Sequence, residues 1–204
     1  MKRRGDLQFE HTNRPDVVVG WGWNQQGDVV GQATIEKPKA MGPMFRTMGP
    51  HIEEPSGQLR MPIKETPAKV SWALANKEGR AAAVPHQVIA ALSEHYNLRP
   101  VADEDLSPEG SAMARSAARR GLITPHPKNP TMEANVSDIY PDKSTREGDI
   151  RADLEGSYRD AHMFRSTGVE KFSDQQMGRA AARVFARKPK PGQRKSQGTQ
   201  GTLF

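Results

Sequence analysis

The 204-residue chain has no cysteine, which excludes disulfide bonds and thiolate metal sites and fits a reducing cytoplasm. No apolar run approaches the roughly 20 residues that a membrane-spanning helix needs, so we expect no membrane partner. The first residues, MKRRGDLQFEH, are charged and contain no apolar stretch, which argues against a secretory signal. These absences together favour a cytoplasmic protein.

Apolar side chains are also scarce. Hydrophobic residues make up 35% of the chain and aromatic residues 6%, and the mean hydropathy is -0.77. The chain contains 18 glycines and 16 prolines, which favour turns and irregular segments. We therefore expect a modest hydrophobic core, organised as one domain with tails or as two small domains.

Acidic residues are missing from the last part of the chain. Residues 179–204 contain seven basic residues and no acidic one, although the net charge of the whole chain is only +6. The remainder is therefore close to neutral, and the basic excess is typical of an appendage that contacts polyanions. The seven residues are Arg179, Arg183, Arg187, Lys188, Lys190, Arg194 and Lys195.

The pattern of apolar residues predicts an α+β fold that begins with a β-hairpin. In VVVGWGW (residues 17–23), valines and tryptophans share one face and glycines leave the other face bare. NQQG is a turn, and residues 28–35 form the return strand. We interpret the tryptophans as core residues, with base stacking as the alternative. The glycines would allow another backbone or a ligand to approach closely.

Local signals predict helices in the rest of the chain. Thr66-Pro67 would begin one that Gly79 ends, and Pro85 would begin a second that ends near Asn97. A third runs from Ser107 to Gly121 and is followed by a short apolar strand, LITP. A further helix lies near 148–163, and a basic last helix begins at Ser173 with a capping box and continues to Pro189.

These elements divide the chain into five regions. They are a flexible N-terminus (1–15), the hairpin and a Pro/Gly/Met-rich connection (16–65), a helical domain (66–145), C-terminal helices (146–188) and a disordered tail (189–204).

The third predicted helix carries Arg115, Arg119 and Arg120 among small alanines, a combination that suits a DNA major groove. With two helices before it and a strand after it, the stretch ARSAARRGLI resembles the recognition helix of small winged helix-turn-helix domains. That resemblance implies DNA contact by the three arginines. A departure from the family is the long acidic connection NLRPVADEDLS. The alternative is an ordinary surface helix with solvated arginines.

In the last predicted helix, Arg179, Arg183 and Arg187 recur every four residues, and Lys188 follows them. Like charges at this spacing repel one another, and a polyanion would relieve the repulsion. We therefore expect these residues to contact nucleic-acid phosphates, which gives affinity without sequence readout.

The last five residues, QGTLF, resemble the short peptide by which bacterial polymerases and repair factors bind the sliding clamp. The resemblance implies that Leu203 and Phe204 fill an apolar pocket on the clamp and that Gln200 hydrogen-bonds at its rim. Gly201 departs from the family, in which an apolar residue is usual, and this predicts weaker binding. Two alternatives are a chance match within the duplication QGTQGT and capture of the terminal carboxylate by another partner.

Enzymatic interpretations find less support in the sequence. The six histidines show no metal-ligand spacing with a carboxylate partner, and we predict no metal site and no cofactor. The strongest enzymatic alternative is a metal-dependent nuclease in which Glu36 acts with Asp16 or Asp28, although two-metal chemistry needs several convergent carboxylates.

The sequence thus predicts a nucleic-acid-binding accessory or regulatory factor in phage or bacterial DNA replication, recombination or repair. It would act in the cytoplasm, which is the host cytoplasm if a phage encodes it, and would dock on the sliding clamp or another replication protein. The further alternative is a virion or other structural protein.

Overall fold

The computed structural model describes residues 7–38, 67–163 and 168–186, and these form the predicted α+β fold. An antiparallel five-stranded sheet has the order β4-β3-β2-β1-β5. The strands are β1 (Gln8–Asn13), β2 (Val17–Trp23), β3 (Val29–Glu36), β4 (Lys69–Ala75) and β5 (Val169–Lys171). The helices are α1 (Lys77–Ala81), α2 (Val84–His95), α3 (Pro108–Arg119), α4 (Arg146–Met163) and α5 (Asp174–Phe185).

The predicted hairpin is confirmed as β2 and β3. Its turn is held by Asn24, whose side-chain oxygen accepts hydrogen bonds from the backbone N–H groups of Gln26 (3.0 Å) and Asp28 (2.9 Å). Gly27 takes the positive φ of 84° that the turn requires and that favours glycine. The hydrogen bonds that shape the turn therefore come from neighbouring residues, and Asn24 also donates to Glu78 of α1 at 3.2 Å.

Different helices pack against the two faces of the hairpin. On the glycine face, the side chains of Val84 and Val88 in α2 lie where β-carbons on Gly20 and Gly22 would stand. The close approach expected of the glycines is therefore made by a helix of the same chain. On the other face, Trp21 is 1% exposed and packs with α4, which confirms that it is a core residue.

Helices thus cover both sides of the sheet. The core on the glycine face collects side chains from α2, α3 and α5, whereas the core on the tryptophan face collects Ile150 and Leu154 from α4. Tyr158 of α4 packs edge-on against Trp21 and Trp23, with ring centroids 5.6 and 4.1 Å apart. The apolar face of α4 thus packs on the opposite side of the sheet from α2, α3 and α5, although Arg146 at the start of α4 pairs with Glu109 of α3.

The prediction of a helix between Thr66 and Gly79 is wrong, because residues 69–75 form strand β4, which pairs with β3. Trp72 and Leu74 face the α4 side, whereas Val70 and Ala73 face the α2 side. In so short a run, the spacing of the apolar residues fits a helix as well as a strand. Pairing with β3 decides in favour of the strand. Gly79 lies inside the short helix α1 instead of ending a longer one.

Two further strands were missed. Residues 8–13, expected to belong to a flexible terminus, form β1, which pairs with β2. β5, between α4 and α5, pairs with the other side of β1. Both segments are rich in polar residues, so no apolar alternation marks them as strands.

The other predicted helices are confirmed, but α5 ends at Phe185 and does not continue to Pro189, because Ala186 leaves the helical conformation with ψ at 119°. Ser107 caps α3 by accepting from Gly110 N–H, and Ser173 and Gln176 form the capping box of α5. Of the LITP strand, only Thr124 forms a bridge, parallel to Val101. A winged-helix domain is not confirmed: the first of the three expected helices is strand β4 of the five-stranded sheet, although the short helix α1 and α2 precede α3.

Candidate functional site

Helices α2 and α5 pack side by side and run in opposite directions, and this packing positions the candidate site. At one end, Gln176 of α5 contacts His95, the last residue of α2, with 2.7 Å between Gln176 Nε2 and His95 Nδ1. At the other end, Arg120 lies close to both His86 in the first turn of α2 and Val184 near the end of α5.

Arg120 joins the ends of α3 and α5. Its Nε donates to the carbonyl oxygen of Val184 at 3.2 Å, across 64 positions of sequence, and its Nη1 donates to the carbonyl oxygen of Ser116 at 3.0 Å. The C-terminal end of a helix carries unpaired carbonyl groups and partial negative charge, both of which an arginine satisfies. Arg120 therefore has a structural role in addition to its charge.

The contact places the end of α3 beside the end of α5, and both helices carry predicted arginines. Arg119 is exposed in the last turn of α3, and Arg183 is exposed one residue before Val184. Arg115 lies one turn before Arg119 and donates to Ser111 Oγ at 2.7 Å. We call these residues the α3–α5 basic surface, which comprises Arg115, Arg119, Arg120 and Arg183.

Arg179 differs from the others, because its Nη1 lies 3.0 Å from Glu94 Oε1 in a salt bridge with α2. The predicted stripe of like charges along α5 is therefore interrupted at its first member, which an acidic neighbour already compensates. Arg187 and Lys188, which would continue the stripe, lie outside the described residues. So do Gln200, Leu203 and Phe204 of the clamp-like peptide.

His86 sits beneath this surface. Burial, assisted by the positive charge of the nearby Arg120, lowers the pKa of His86 to about 4. Its Nε2 is buried and has no hydrogen-bond partner among the described residues. At neutral pH the imidazole is therefore uncharged and adds nothing to the positive charge of the α3–α5 basic surface.

A groove of about 530 Å³ adjoins the same surface and lies between β4, α3 and the segment before α4. β4 is an edge strand of the sheet, and the groove combines Arg120 with apolar side chains. Two of these, Val136 and Ile139, are 45% and 56% exposed. Arg120 therefore lies where a charged surface meets an apolar one.

Of the carboxylates proposed for a nuclease, Asp28 lies far from Glu36, whereas Asp16 lies near it. Asp28 precedes β3 and Glu36 ends it, so the two lie about 25 Å apart at roughly 3.3 Å per residue. Asp16 is closer to Glu36, since Lys37 N–H donates to the Asp16 carbonyl oxygen at 2.8 Å. In the part of the chain that the structure describes, none of the three belongs to a group of three potential metal ligands.

Such a group does form elsewhere, at the opposite end of α5. His11 of β1, His95 of α2 and Glu170 of β5 each place one potential ligand atom within 4.8 Å of the other two. Sequence reasoning missed this cluster because its members lie far apart along the chain and β1 and β5 were not predicted.

Comparisons of the chain with protein-family models, curated proteins and solved structures find no match. Among the described residues, no helix combines the length and the apolar character needed to cross a membrane.

Proposed function

We propose that the protein binds nucleic acid, with DNA as the expected partner, through the α3–α5 basic surface. The observation that carries this proposal is the contact between Arg120 and Val184, which places the ends of two arginine-bearing helices side by side. Arginine is well suited to phosphate because its planar guanidinium remains charged and donates in a fixed fork. These contacts would follow the backbone and would not read the base sequence.

The distribution of charge supports a localised contact. The described residues contain more acidic than basic side chains, so the body does not attract polyanions generally. On the α3–α5 basic surface, Arg119 and Arg183 project into solvent. The sequence after α5 continues with two further basic residues, Arg187 and Lys188, which we expect to add to the attraction for phosphate. The proposal needs no winged-helix fold, because phosphate contacts require only exposed cations.

The salt dependence of duplex binding tests this proposal. Each phosphate contact contributes about one unit to the slope of log K against log salt concentration. The variant Arg115→Gln/Arg119→Gln/Arg183→Gln should therefore bind a 20-base-pair duplex more weakly and with a slope lower by up to about three units. Arg120 is left unchanged because its hydrogen bond to Val184 also holds the two helices together.

A matched control removes three exposed charges from the other side of the sheet. Lys143→Gln/Arg151→Gln/Arg159→Gln changes the net charge equally but alters residues in or beside α4. The proposal predicts a slope close to that of the unchanged protein. If both triple variants lost the same affinity and the same amount of slope, binding would depend only on net charge. That result would contradict a specific α3–α5 basic surface.

We also propose that the protein acts as a replication, recombination or repair accessory factor that docks on a sliding clamp through QGTLF. Support for this step comes from the sequence, since the peptide lies outside the described residues. Burying a leucine or phenylalanine is worth about 1.5–3 kcal/mol each, and ordering a flexible peptide offsets much of that gain.

A peptide of residues 195–204 should therefore bind purified bacterial clamp in the micromolar range by calorimetry. The double variant Leu203→Ala/Phe204→Ala should release no heat, and Gly201→Leu should bind more tightly. Absence of binding by the unchanged peptide, under conditions where an established clamp peptide binds, would refute the clamp partner and leave the DNA proposal intact.

A further inference from the structure

His11, His95 and Glu170 converge from three elements of the fold. His11 and Glu170 are register partners in the antiparallel pair β1–β5, so their side chains share a face of the sheet. The imidazole of His95 approaches from the end of α2, with 4.9 Å between its ring centroid and that of His11. One nitrogen or oxygen of each residue lies within 4.8 Å of those of the other two.

We propose that these three side chains bind a divalent transition-metal ion of the zinc class. Imidazole nitrogens and a carboxylate oxygen are ligands that zinc prefers. Two histidines and one carboxylate would leave a coordination position for water or a substrate, as in catalytic sites. His95 and Glu170 are exposed, so an ion has access to the cluster from solvent.

The neighbours of His11 direct one of its nitrogens toward the cluster. His11 is 2% exposed and packs against Phe172, with ring centroids 4.2 Å apart. Its Nδ1 lies 2.9 Å from the hydroxyl oxygen of Tyr96, which can accept a hydrogen bond from Nδ1–H. Nε2 then remains for the metal, and Tyr96 fixes the ring as hydrogen-bonding partners of metal-bound histidines commonly do.

The neighbour of His95 is less well matched to a metal. Gln176 Oε1 accepts from the backbone N–H of Ser173 at 2.8 Å, so Gln176 Nε2 must donate to His95 Nδ1. Metal binding at His95 Nε2 would place a proton on Nδ1, where it would face this second donor. The contact weakens metal binding by the unchanged chain without preventing it, and a glutamate at position 176 would supply an acceptor that strengthens binding.

This mismatch distinguishes a metal site from simple packing of the ring cluster. Glutamate is also the usual third residue after a serine in a capping box, so Gln176→Glu can keep the cap of α5 while accepting from His95 Nδ1–H. Gln175→Glu is the matched control, because Gln175 is an exposed neighbour and the added charge is the same. Only the change at position 176 places an acceptor opposite His95 Nδ1–H.

The test is calorimetric titration of the full chain with zinc chloride, repeated with cobalt(II), whose visible absorption reports the coordination geometry. One ion should bind per chain, and Glu170→Gln and His95→Gln should each weaken binding at least tenfold. Both residues are exposed, so circular dichroism should show that the variants remain folded. Glu94→Gln, which removes a neighbouring exposed carboxylate, should leave the affinity within about twofold.

Gln176→Glu should tighten zinc binding about tenfold or more, the size of effect typical of residues that support metal ligands, and Gln175→Glu should not. The proposal is overturned if the unchanged chain does not bind zinc, or if neither Glu170→Gln nor His95→Gln weakens zinc binding. It is also overturned if Gln176→Glu and Gln175→Glu change the zinc affinity equally. DNA binding by the α3–α5 basic surface does not depend on this outcome.

Discussion

Gly79 shows how a single residue limits the packing of the fold. Asn76 caps α1 by accepting from Gly79 N–H at 2.9 Å, and this places Gly79 against the backbone of β3. A β-carbon at Gly79 would lie 1.9 Å from the carbonyl oxygen of Val30, closer than any non-bonded contact permits. Because the obstacle is backbone, a change of side-chain conformation cannot relieve it.

We therefore expect Gly79→Ala to lower the free energy of unfolding by about 3 kcal/mol or to prevent folding, since overpacking costs about 1–3 kcal/mol and more against a fixed backbone. Gly156 in α4 is the control, because nothing lies within 4 Å of the point that a β-carbon there would occupy. Gly156→Ala should raise the free energy of unfolding by about 0.5–1 kcal/mol. Urea unfolding measures the free energy of unfolding of each variant. Equal values for Gly79→Ala and Gly156→Ala would contradict the close packing of Gly79 against β3.

At the scale of single elements, features set by adjacent residues were predictable. The caps of α3 and α5 and the turn between β2 and β3 depend on side chains within a few positions, and all three were predicted. β4 was mistaken for a helix because its identity depends on pairing with β3, a strand more than 30 residues earlier. Local spacing contains no information about that partner.

The strands β1 and β5 were missed for a related reason. Their segments are polar, and the pairing of β5 with β1 spans more than 150 residues. Without these strands, His11 and Glu170 could not be recognised as neighbours on the sheet. The candidate metal cluster therefore depended on the least predictable part of the fold, whereas the arginines were visible as patterns on helices that the sequence did predict.

At the scale of the whole molecule, the sheet divides the surface into two different regions. α2, α3 and α5 lie on one face, with the α3–α5 basic surface at one end of α5 and the His11, His95 and Glu170 cluster at the other. Gln176 and Val184 lie eight residues apart, or about 12 Å along the helix axis. α4 covers the opposite face and takes no part in either site.

We propose above all that nucleic acid contacts the protein at the ends of α3 and α5. The most direct measurement is nuclear magnetic resonance of the ¹⁵N-labelled full chain titrated with a 20-base-pair DNA duplex at low salt. Amide shift changes should concentrate at residues 115–121 and 180–186 and should spare α4, and they should diminish as salt is added. Changes centred on α4, or no changes at low salt, would contradict the claim.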